Sequence, residues 1–245
     1  MKETIVIKIG GVASQQLSLD FIAQVKAWKE AGKHLVIVHG GGFAINKLMK
    51  DHKVAVKKID GLRVTSKSDM VLVERALLDI VGKDLTKKLN QSGVDSVQLL
   101  SDLEKVVEAE FLDQETFGYV GEVSHIQSAY LEQMLSDDMI PVLASLGYSK
   151  DGELLNINAD YLATAVATAL SADQLILMTD VKGVLENGAV LDSLSVQAVQ
   201  EKIDQGVITG GMIPKIESAA KTVQAGVGQV LIGDNLTSGT WIGKD

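Results

Sequence analysis

The sequence predicts an α/β protein, a three-layer αβα sandwich with a central, mainly parallel sheet. Short apolar runs rich in β-branched residues alternate along the chain with stretches of helical period, which is the pattern of strands joined by helical crossovers. Several of these runs, such as residues 174–178, carry almost no charge, as expected for strands buried on both faces. With 245 residues, 46% of them apolar, the chain is long enough to bury one large core or two small ones.

The first half of the chain begins with a predicted strand at residues 5–9. Ser18 is placed to cap a helix that Gly32 ends. Ser66, with Asp69 three residues later, has the spacing of a capping box and predicts the start of a long helix. The remaining elements predicted in this half are a strand at 35–38, a helix at 43–51, the long helix at 66–91 and a strand at 94–100.

Two runs in which polar and apolar residues alternate come next, at 106–109 and 117–120. This alternation predicts an antiparallel hairpin within residues 105–123, lying beside the main sheet. Asn187-Gly188 predicts another hairpin turn. Further strands are predicted at 140–146, 174–178 and 228–232, and further helices at 126–135, 161–170, 195–204 and 214–225.

The composition excludes several classes of function. The chain has no cysteine, which excludes disulfides, thiolate metal sites and thiol nucleophiles and suits a reducing compartment. Its 23 basic and 32 acidic residues give a net charge of −9, so nucleic acid is an unfavourable partner. No apolar run approaches the ~20 residues of a membrane span. We therefore expect a soluble cytoplasmic protein that binds neither nucleic acid nor membranes.

Lys8-Ile9-Gly10-Gly11 ends the first predicted strand. A lysine in an otherwise apolar strand is costly unless its ammonium reaches water or a partner, and ligands of open α/β sheets collect at the carboxyl ends of the strands. The two glycines allow backbone N–H groups to approach a ligand oxygen closely. The segment therefore predicts an anion site, and the alternative is a surface lysine followed by an ordinary turn.

Three glycines, Gly40, Gly41 and Gly42, follow His39 at the junction of a predicted strand and a predicted helix. Free backbone N–H groups and the positive end of a helix dipole favour a carboxylate or a phosphate at such a junction. A turn that is tight only for packing is the alternative. His39 itself is interpreted as structural and not as catalytic.

Arg63 is one of only two arginines and lies in the segment Gly61-Leu62-Arg63-Val64-Thr65, just before the long helix. A planar guanidinium binds a carboxylate through two hydrogen bonds, so Arg63 is the predicted carboxylate clamp. The alternative is a surface salt bridge. The other arginine, Arg75, is interpreted as a solvated charge on the helix.

Asn156-Ile157-Asn158-Ala159-Asp160 leads into a predicted helix. If the segment is extended, alternation places Asn156, Asn158 and Asp160 on one side. Two amides offer donors and acceptors to a polar substrate, and the carboxylate can orient ammonium groups. Asp160 could also serve only as the helix N-cap.

Two later segments complete the set of candidate sites. Thr179-Asp180-Val181-Lys182-Gly183-Val184 follows a predicted strand, and Gly210-Gly211-Met212-Ile213-Pro214-Lys215 opens a predicted helix. A proline suits the first helical turn, which places the lysine near the positive end of the dipole, where a cation needs a compensating anion. An exposed, tolerated lysine is the alternative. The P-loop, dinucleotide-binding and protein-kinase motifs are absent from the sequence.

Taken in order, these five segments resemble the amino acid kinase family, over the stretch from Lys8 to Lys215. The lysine-glycine segment at 8–11 and the aspartate of 179–184 are similar to features of the whole family. The segments at 38–42, 61–65 and 156–160 resemble the branch that acts on N-acetylglutamate. The resemblance implies the amino acid kinase (carbamate kinase-like) fold. It also implies phosphoryl transfer from ATP, with Mg²⁺, to the side-chain carboxylate of N-acetyl-L-glutamate, the second step of arginine biosynthesis.

The resemblance also implies roles for individual residues. Lys8 and Lys215 stabilise the transferring phosphoryl group, and Asp160 positions both lysines. The implied acceptor contacts are Gly41, Gly42, Arg63, Asn156 and Asn158, with Arg63 on the α-carboxylate. The implied phosphate and nucleotide contacts are Gly10, Gly11, Asp180, Val181, Lys182, Gly183, Val184, Leu185, Val207, Ile208 and Thr209.

The same resemblance divides the chain into an acceptor-binding and dimerising lobe, residues 1–172, and an ATP-binding lobe, residues 173–245, on one continuous sheet. Few residues precede the first strand, which resembles unregulated homodimers and not arginine-regulated hexamers, and regulation by a nitrogen-signalling protein stays open. Two alternatives also stay open. One is a related kinase that acts on acetylaminoadipate, carbamate or a nucleoside monophosphate. The other is a non-catalytic amino-acid sensor, which would not need both lysines.

Overall fold

Sixteen strands and ten α-helices form the part of the chain that the computed structural model describes, residues 2–10 and 17–244. The strands are β1 Thr4–Ile9, β2 His34–His39, β3 Lys58–Ile59, β4 Leu62–Arg63, β5 Ser96–Gln98, β6 Val107–Phe111, β7 Val120–Ile126, β8 Ile140–Ala144, β9 Leu146–Tyr148, β10 Leu154–Ile157, β11 Gln174–Met178, β12 Leu185–Glu186, β13 Ala189–Val190, β14 Ser193–Ser195, β15 Gln229–Gly233 and β16 Thr240–Gly243. The helices are α1 Leu19–Glu30, α2 Gly42–Asp51, α3 Lys67–Glu74, α4 Lys83–Gln91, α5 Leu103–Val106, α6 Gln114–Phe117, α7 Ser128–Ser136, α8 Ala159–Ala169, α9 Val199–Asp204 and α10 Met212–Gln224.

Eight of the strands form one sheet in the order β14-β16-β15-β11-β1-β2-β8-β5. All neighbouring pairs are parallel except β15 with β16. The first strand therefore lies in the interior of the sheet, between β11 and β2. Because parallel neighbours end at the same edge, the segments that follow these three strands are brought together.

Apolar side chains cover both faces of this sheet. Ile5, Ile7 and Ile9 alternate with Val6 along β1, so they enter different core clusters. The cluster around Ile5 includes Phe21 of α1, whereas the cluster around Val6 contains side chains of α2, α8 and α10. The three-layer αβα sandwich with a mainly parallel sheet is confirmed.

The predicted hairpin within residues 105–123 forms, but its boundaries and its position differ from the prediction. β6 and β7 pair antiparallel, and together with β9 and β10 they close a separate four-stranded barrel. Residues 114–117, which overlap the second predicted run, form α6 instead, with Asp113 as its N-cap. A helical turn forms here in place of the predicted strand because the Asp113 side chain accepts hydrogen bonds from the N–H groups of residues 115 and 116.

The long predicted helix at 66–91 begins with the expected capping box of Ser66 and Asp69. Its middle, Arg75–Gly82, is a π-helix between α3 and α4. This wider segment packs beneath the glycines that follow β2, since a Cβ atom on Gly41 would lie 2.7 Å from the Leu77 side chain. π-Helical turns often occur next to functional sites.

The prediction missed other features of the chain. Strand β5 is shorter than the predicted 94–100, and α7 begins two residues after Ile126, which still belongs to β7. The closing strand β16 was not predicted. No helix within residues 2–10 and 17–244 is long and apolar enough to cross a membrane.

Candidate active site

The site is built at the carboxyl ends of β11, β1 and β2. Lys8 points to the same face of the sheet as Val6, the face that α8 covers. It is only 9% exposed, so its ammonium needs partners. Its Nζ lies 2.8 Å from Asp160 Oδ1 and donates a hydrogen bond to the Met178 carbonyl at 3.2 Å. Burial and these two partners therefore hold the Lys8 ammonium in one position.

Gly10 is required by the same lysine. A Cβ atom on Gly10 would lie 2.4 Å from Lys8 Nζ, so any larger residue displaces the ammonium or the backbone. Gly11, the other glycine predicted here, lies outside the described residues.

Asp160 reaches Lys8 from the first turn of α8, where a carboxylate is favoured by the helix dipole. The predicted extended segment holds through Asn158 and fails at Asp160, because α8 begins at Ala159; Asn156, Asn158 and Asp160 nevertheless all line one cavity. The N-cap is Asn158 and not Asp160: Asn158 Oδ1 accepts from the backbone N–H of Asp160 at 2.8 Å. The cap thereby sets the position of the carboxylate that binds Lys8.

Lys215 is the fourth residue of α10, near the positive end of that helix, as predicted. Its Nζ donates to Thr179 Oγ1 at 3.1 Å. The expectation that Asp160 positions both lysines is not met, since among the described residues Asp160 forms an ion pair within 4.0 Å only with Lys8. The physical reason is that α10 brings Lys215 to the end of β11, where the threonine hydroxyl is the near partner.

Two adjoining cavities open at this edge of the sheet. The glycine cavity, of about 360 Å³, is lined by Gly40, Gly41, Gly42, Arg63, Ser145 and Asn156. The lysine cavity, also of about 360 Å³, is lined by Tyr161, Thr179, Gly211, Pro214 and Lys215. Lys8, Asn158 and Asp160 line both cavities. The predicted acceptor contacts and the two lysines are thus brought into one continuous site.

Arg63 lies at the wall of the glycine cavity and is 8% exposed. Its guanidinium donates to Asn46 Oδ1 at 2.5 Å and to the Met49 sulfur at 3.3 Å. No carboxylate of the described residues lies within 4.0 Å of it. Burial lowers the pKa of Arg63, and the charge of Asp69 opposes that shift, but a guanidinium stays protonated in proteins. The surface salt bridge that was the alternative is therefore not present.

Asn156 is held by a short chain of hydrogen bonds. Its Nδ2 donates to Thr65 Oγ1 at 3.2 Å, and Thr65 in turn donates to the carbonyl of Arg63 at 3.2 Å. Thr65 is fully buried. The network couples the amide from β10 to the strand that carries the arginine.

Three supporting residues were missed by sequence reasoning. Asn46 lies one helical turn after Gly42 and was detectable from that spacing. Thr65 belongs to a segment that was recognised, but only Arg63 was given a role. Ser145, which follows the buried strand β8 and lines the glycine cavity, carries the same signal as the other residues at strand ends.

The nine predicted nucleotide contacts at 180–185 and 207–209 line neither cavity, whereas Gly10 lines the glycine cavity. Residues 180–185 continue the chain from Thr179, and residues 207–209 precede Gly211, so both segments border the lysine cavity along the sequence. The side chains of Val184 and Ile208 are buried in the core. Val184 donates its N–H to Thr240 Oγ1 at 2.8 Å.

His39 is fully buried at the end of β2, and this burial lowers its pKa to about 4. We expect the unfolded chain to bind a proton at this residue near pH 6.5 and the folded chain only near pH 4, so stability is lost as the pH falls through this window. The loss attributable to His39 between pH ~7.5 and pH ~5 is about 2 kcal/mol.

Urea unfolding of the wild type and of His39→Leu at the two pH values measures this difference. The variant should lose less stability on acidification by that amount. Equal losses in the two proteins would contradict the buried neutral imidazole.

The comparisons with known proteins agree with one another. The amino acid kinase family matches residues 3–234. The acetylglutamate kinase of Streptococcus mutans is 69% identical over 245 residues, with 100% of each chain covered. The crystal structure of a Streptococcus mutans UA159 protein, also 69% identical and fully covered, superposes with a TM-score of 0.92. Carbamate kinase from Giardia lamblia bound to AMP-PNP is 16% identical, covers 100% of this chain and 99% of its own with a TM-score of 0.69, and is similar in fold alone. The chain therefore belongs to the amino acid kinase family.

Proposed function

We propose that this chain transfers the γ-phosphoryl group of ATP to the side-chain carboxylate of N-acetyl-L-glutamate, the second step of arginine biosynthesis. The observation that carries the proposal is the adjoining pair of cavities, one with a buried arginine and the other with two lysines. Lys8 lies on the wall that the cavities share. The proposal is supported by the 69% identity to the acetylglutamate kinase of Streptococcus mutans over the full length of both chains.

The buried charge of Arg63 supports a dicarboxylate acceptor. A guanidinium removed from water and left without a carboxylate partner is costly, and a ligand carboxylate in the glycine cavity removes that cost. We assign the α-carboxylate to Arg63. The acceptor's second carboxylate then extends toward Lys8, and Asn156 and the glycine N–H groups remain for the amide.

The chemical step needs little from the protein beyond position and charge. A side-chain carboxylate is already ionised at neutral pH, so no general base is required. One of its oxygens forms a bond to the γ-phosphorus while the bond from that phosphorus to the β,γ-bridging oxygen breaks, and ADP leaves. Two anions must approach, and negative charge spreads over the phosphoryl oxygens. Lys8 and Lys215 meet both needs.

ATP enters, in this proposal, with its terminal phosphate in the lysine cavity and its remaining contacts along residues 180–185 and 207–209. Magnesium is bound mainly by phosphate oxygens and water, as this ion prefers. Among residues 2–10 and 17–244 there is no group of three His, Asp or Glu side chains suited to hold a metal. The C-terminal lobe, residues 173–245, is thus proposed for ATP, the lobe of residues 1–172 for the acceptor, and the cytoplasm as the compartment.

An ADP-release assay with four acceptors tests the proposal. N-acetyl-L-glutamate should give the highest kcat/KM, and L-glutamate, N-acetyl-L-2-aminoadipate and carbamate should give much lower values. One methylene is worth only about 1 to 3 kcal/mol, so the aminoadipate derivative is the sharpest competitor. A preference for any other acceptor would reassign the substrate, and ATP-independent binding without turnover would favour the sensor.

We also propose that two copies of the chain pair at the free edge of the sheet. β5 ends the eight-stranded sheet, and on its far side no further strand of the described residues is paired. Val97 and Leu100 are 38% and 52% exposed there, and an apolar sheet edge is prone to association. Light scattering should give a mass of about twice 26.1 kDa.

The double substitution Val97→Asp and Leu100→Asp should shift this mass toward the monomer. Leu19→Asp is the matched control, because Leu19 is 88% exposed but lies on α1. A monomeric wild type would mean that no such dimer forms. A dimer that persists in the double variant would mean that the interface lies elsewhere.

A further inference from the structure

The imidazole of His39 occupies a position that stability alone does not explain. The side chain is 0% exposed, and its Nδ1 lies 3.1 Å from the carbonyl oxygen of Gly40. A carbonyl only accepts hydrogen bonds, so Nδ1 carries the proton. In the neutral ring Nε2 then keeps a lone pair, and this atom has no hydrogen-bond partner among the described residues. A buried unpaired nitrogen costs free energy, and an apolar side chain of similar size would avoid that cost.

The hydrogen bond from His39 fixes a peptide group at the wall of the glycine cavity. The N–H of Gly40 is also held, by the carbonyl of Ile9 at 3.1 Å. No described peptide bond is cis, and in a trans peptide the C=O and the following N–H point in opposite directions. Because the Gly40 carbonyl is turned toward the buried imidazole, the N–H of Gly41 is turned away from it. Gly41 lines the cavity and is the N-cap of α2, without a side chain to occupy the helix N-terminus.

We propose that His39 is a positioning residue, whose Nδ1–H holds the Gly40 carbonyl and thereby aims the Gly41 N–H at an oxygen of the bound acceptor. The inference rests on the proposed function, because it names what this N–H binds: a carboxylate or amide oxygen of an acylated amino acid. His39 itself touches neither the substrate nor the reacting atoms.

The support beneath Gly41 agrees with this role. A Cβ atom on Gly41 would lie 2.7 Å from Leu77 and 3.1 Å from Val81, both in the π-helical segment. The backbone of Gly41 is therefore packed from below by the π-helix and held through its neighbour by the imidazole. A neutral imidazole fits this position, because full burial penalises the charged form while Nδ1–H still donates to the Gly40 carbonyl.

A matched pair of substitutions separates positioning from packing. His39→Asn keeps an N–H at nearly the position of Nδ1, whereas His39→Leu has the same branched shape without a donor. We expect His39→Leu to raise the KM for N-acetyl-L-glutamate by about tenfold, the usual effect of losing one oriented hydrogen bond, with the KM for ATP unchanged. His39→Asn should restore the acceptor KM to within about threefold of the wild type, which leaves less than half of that loss.

The outcomes are distinct. Equal acceptor KM values for the wild type and His39→Leu, equal impairment of both variants, or a parallel rise in the ATP KM would overturn the proposal. Thermal unfolding of all three proteins checks that each is folded. Crystal structures of the two variants provide a test that needs no substrate. A rotated 40–41 peptide in His39→Leu together with the native orientation in His39→Asn would support the positioning role. An unrotated peptide in His39→Leu would refute it. If the wild type fails to turn over N-acetyl-L-glutamate, the proposed function fails, while the peptide orientation still decides the role of His39.

Discussion

Replacing Lys8 with methionine is expected to lower kcat by about 10²- to 10³-fold, the range measured when one preorganised donor to a developing charge is removed. Methionine keeps the length of the side chain and removes only the cation. The ammonium is held by Asp160 and the Met178 carbonyl before any substrate arrives, so its stabilisation is available without rearrangement. In the proposed mechanism Lys8 contacts the moving phosphoryl group mainly in the transition state, and the KM for ATP should therefore change little.

Steady-state ADP release measures this effect, and two variants control for other causes. Lys8→Met leaves the Asp160 carboxylate without its partner, so the double variant with Asp160→Asn tests whether the uncompensated charge causes the loss. The double variant should keep the same loss of about 10²- to 10³-fold in kcat. Lys221→Met, on the exposed side of α10, should keep the wild-type kcat, whereas Lys215→Met on the same helix should lose about a hundredfold. Near wild-type turnover in the Lys8 or Lys215 variant would refute its assignment.

Arg63→Gln is expected to raise the KM for N-acetyl-L-glutamate by about two orders of magnitude, since hydrogen bonds to charged groups contribute about 1.5 to 3 kcal/mol each. Glutamine still can bond to Asn46 but offers no cation to the acceptor. The KM for ATP should stay within about twofold of the wild type, because Arg63 lines the glycine cavity and not the lysine cavity. Initial-rate kinetics with either substrate varied separates the two constants.

Arg75→Gln is the matched control, as it changes the other arginine of the chain, which is exposed on the π-helical segment. It should leave both KM values unchanged. An unaltered acceptor KM in Arg63→Gln would mean that this guanidinium is not the clamp, and a rise shared equally by the ATP KM would indicate a general disturbance of the fold.

The parts of the site that sequence reasoning reached depend on local chemistry. A lysine within an apolar strand, and glycines where a strand meets a helix, have direct physical consequences, so Lys8 and the glycine cavity could be anticipated from their neighbours in sequence. Arg63 was singled out because arginine is scarce in the chain and because of its flanking residues, and it lines the glycine cavity. These signals do not need the rest of the chain.

The features that were missed depend on tertiary packing. The closed barrel of β6, β7, β9 and β10 requires pairings between distant segments, which period-2 alternation alone does not specify. The π-helix has the composition of an ordinary helix, and its wider turn becomes evident only where it packs beneath Gly41. Asn158 and not Asp160 caps α8 because the helix begins at Ala159, two residues before the predicted start at residue 161.

The interior position of β1 has a consequence for altering the substrate. Adjacent strands are about 4.8 Å apart, so Lys8 lies midway between the segment that follows β2 and the segment that follows β11, at a spacing set by backbone hydrogen bonds. In the proposed mechanism, phosphoryl transfer thus depends on a lysine in the interior of the sheet, while the acceptor contacts lie in the segments 40–42 and 61–63, outside that sheet. Acceptor preference should therefore be open to redesign through these two segments, in libraries that leave the strands of the sheet and the two lysines unchanged.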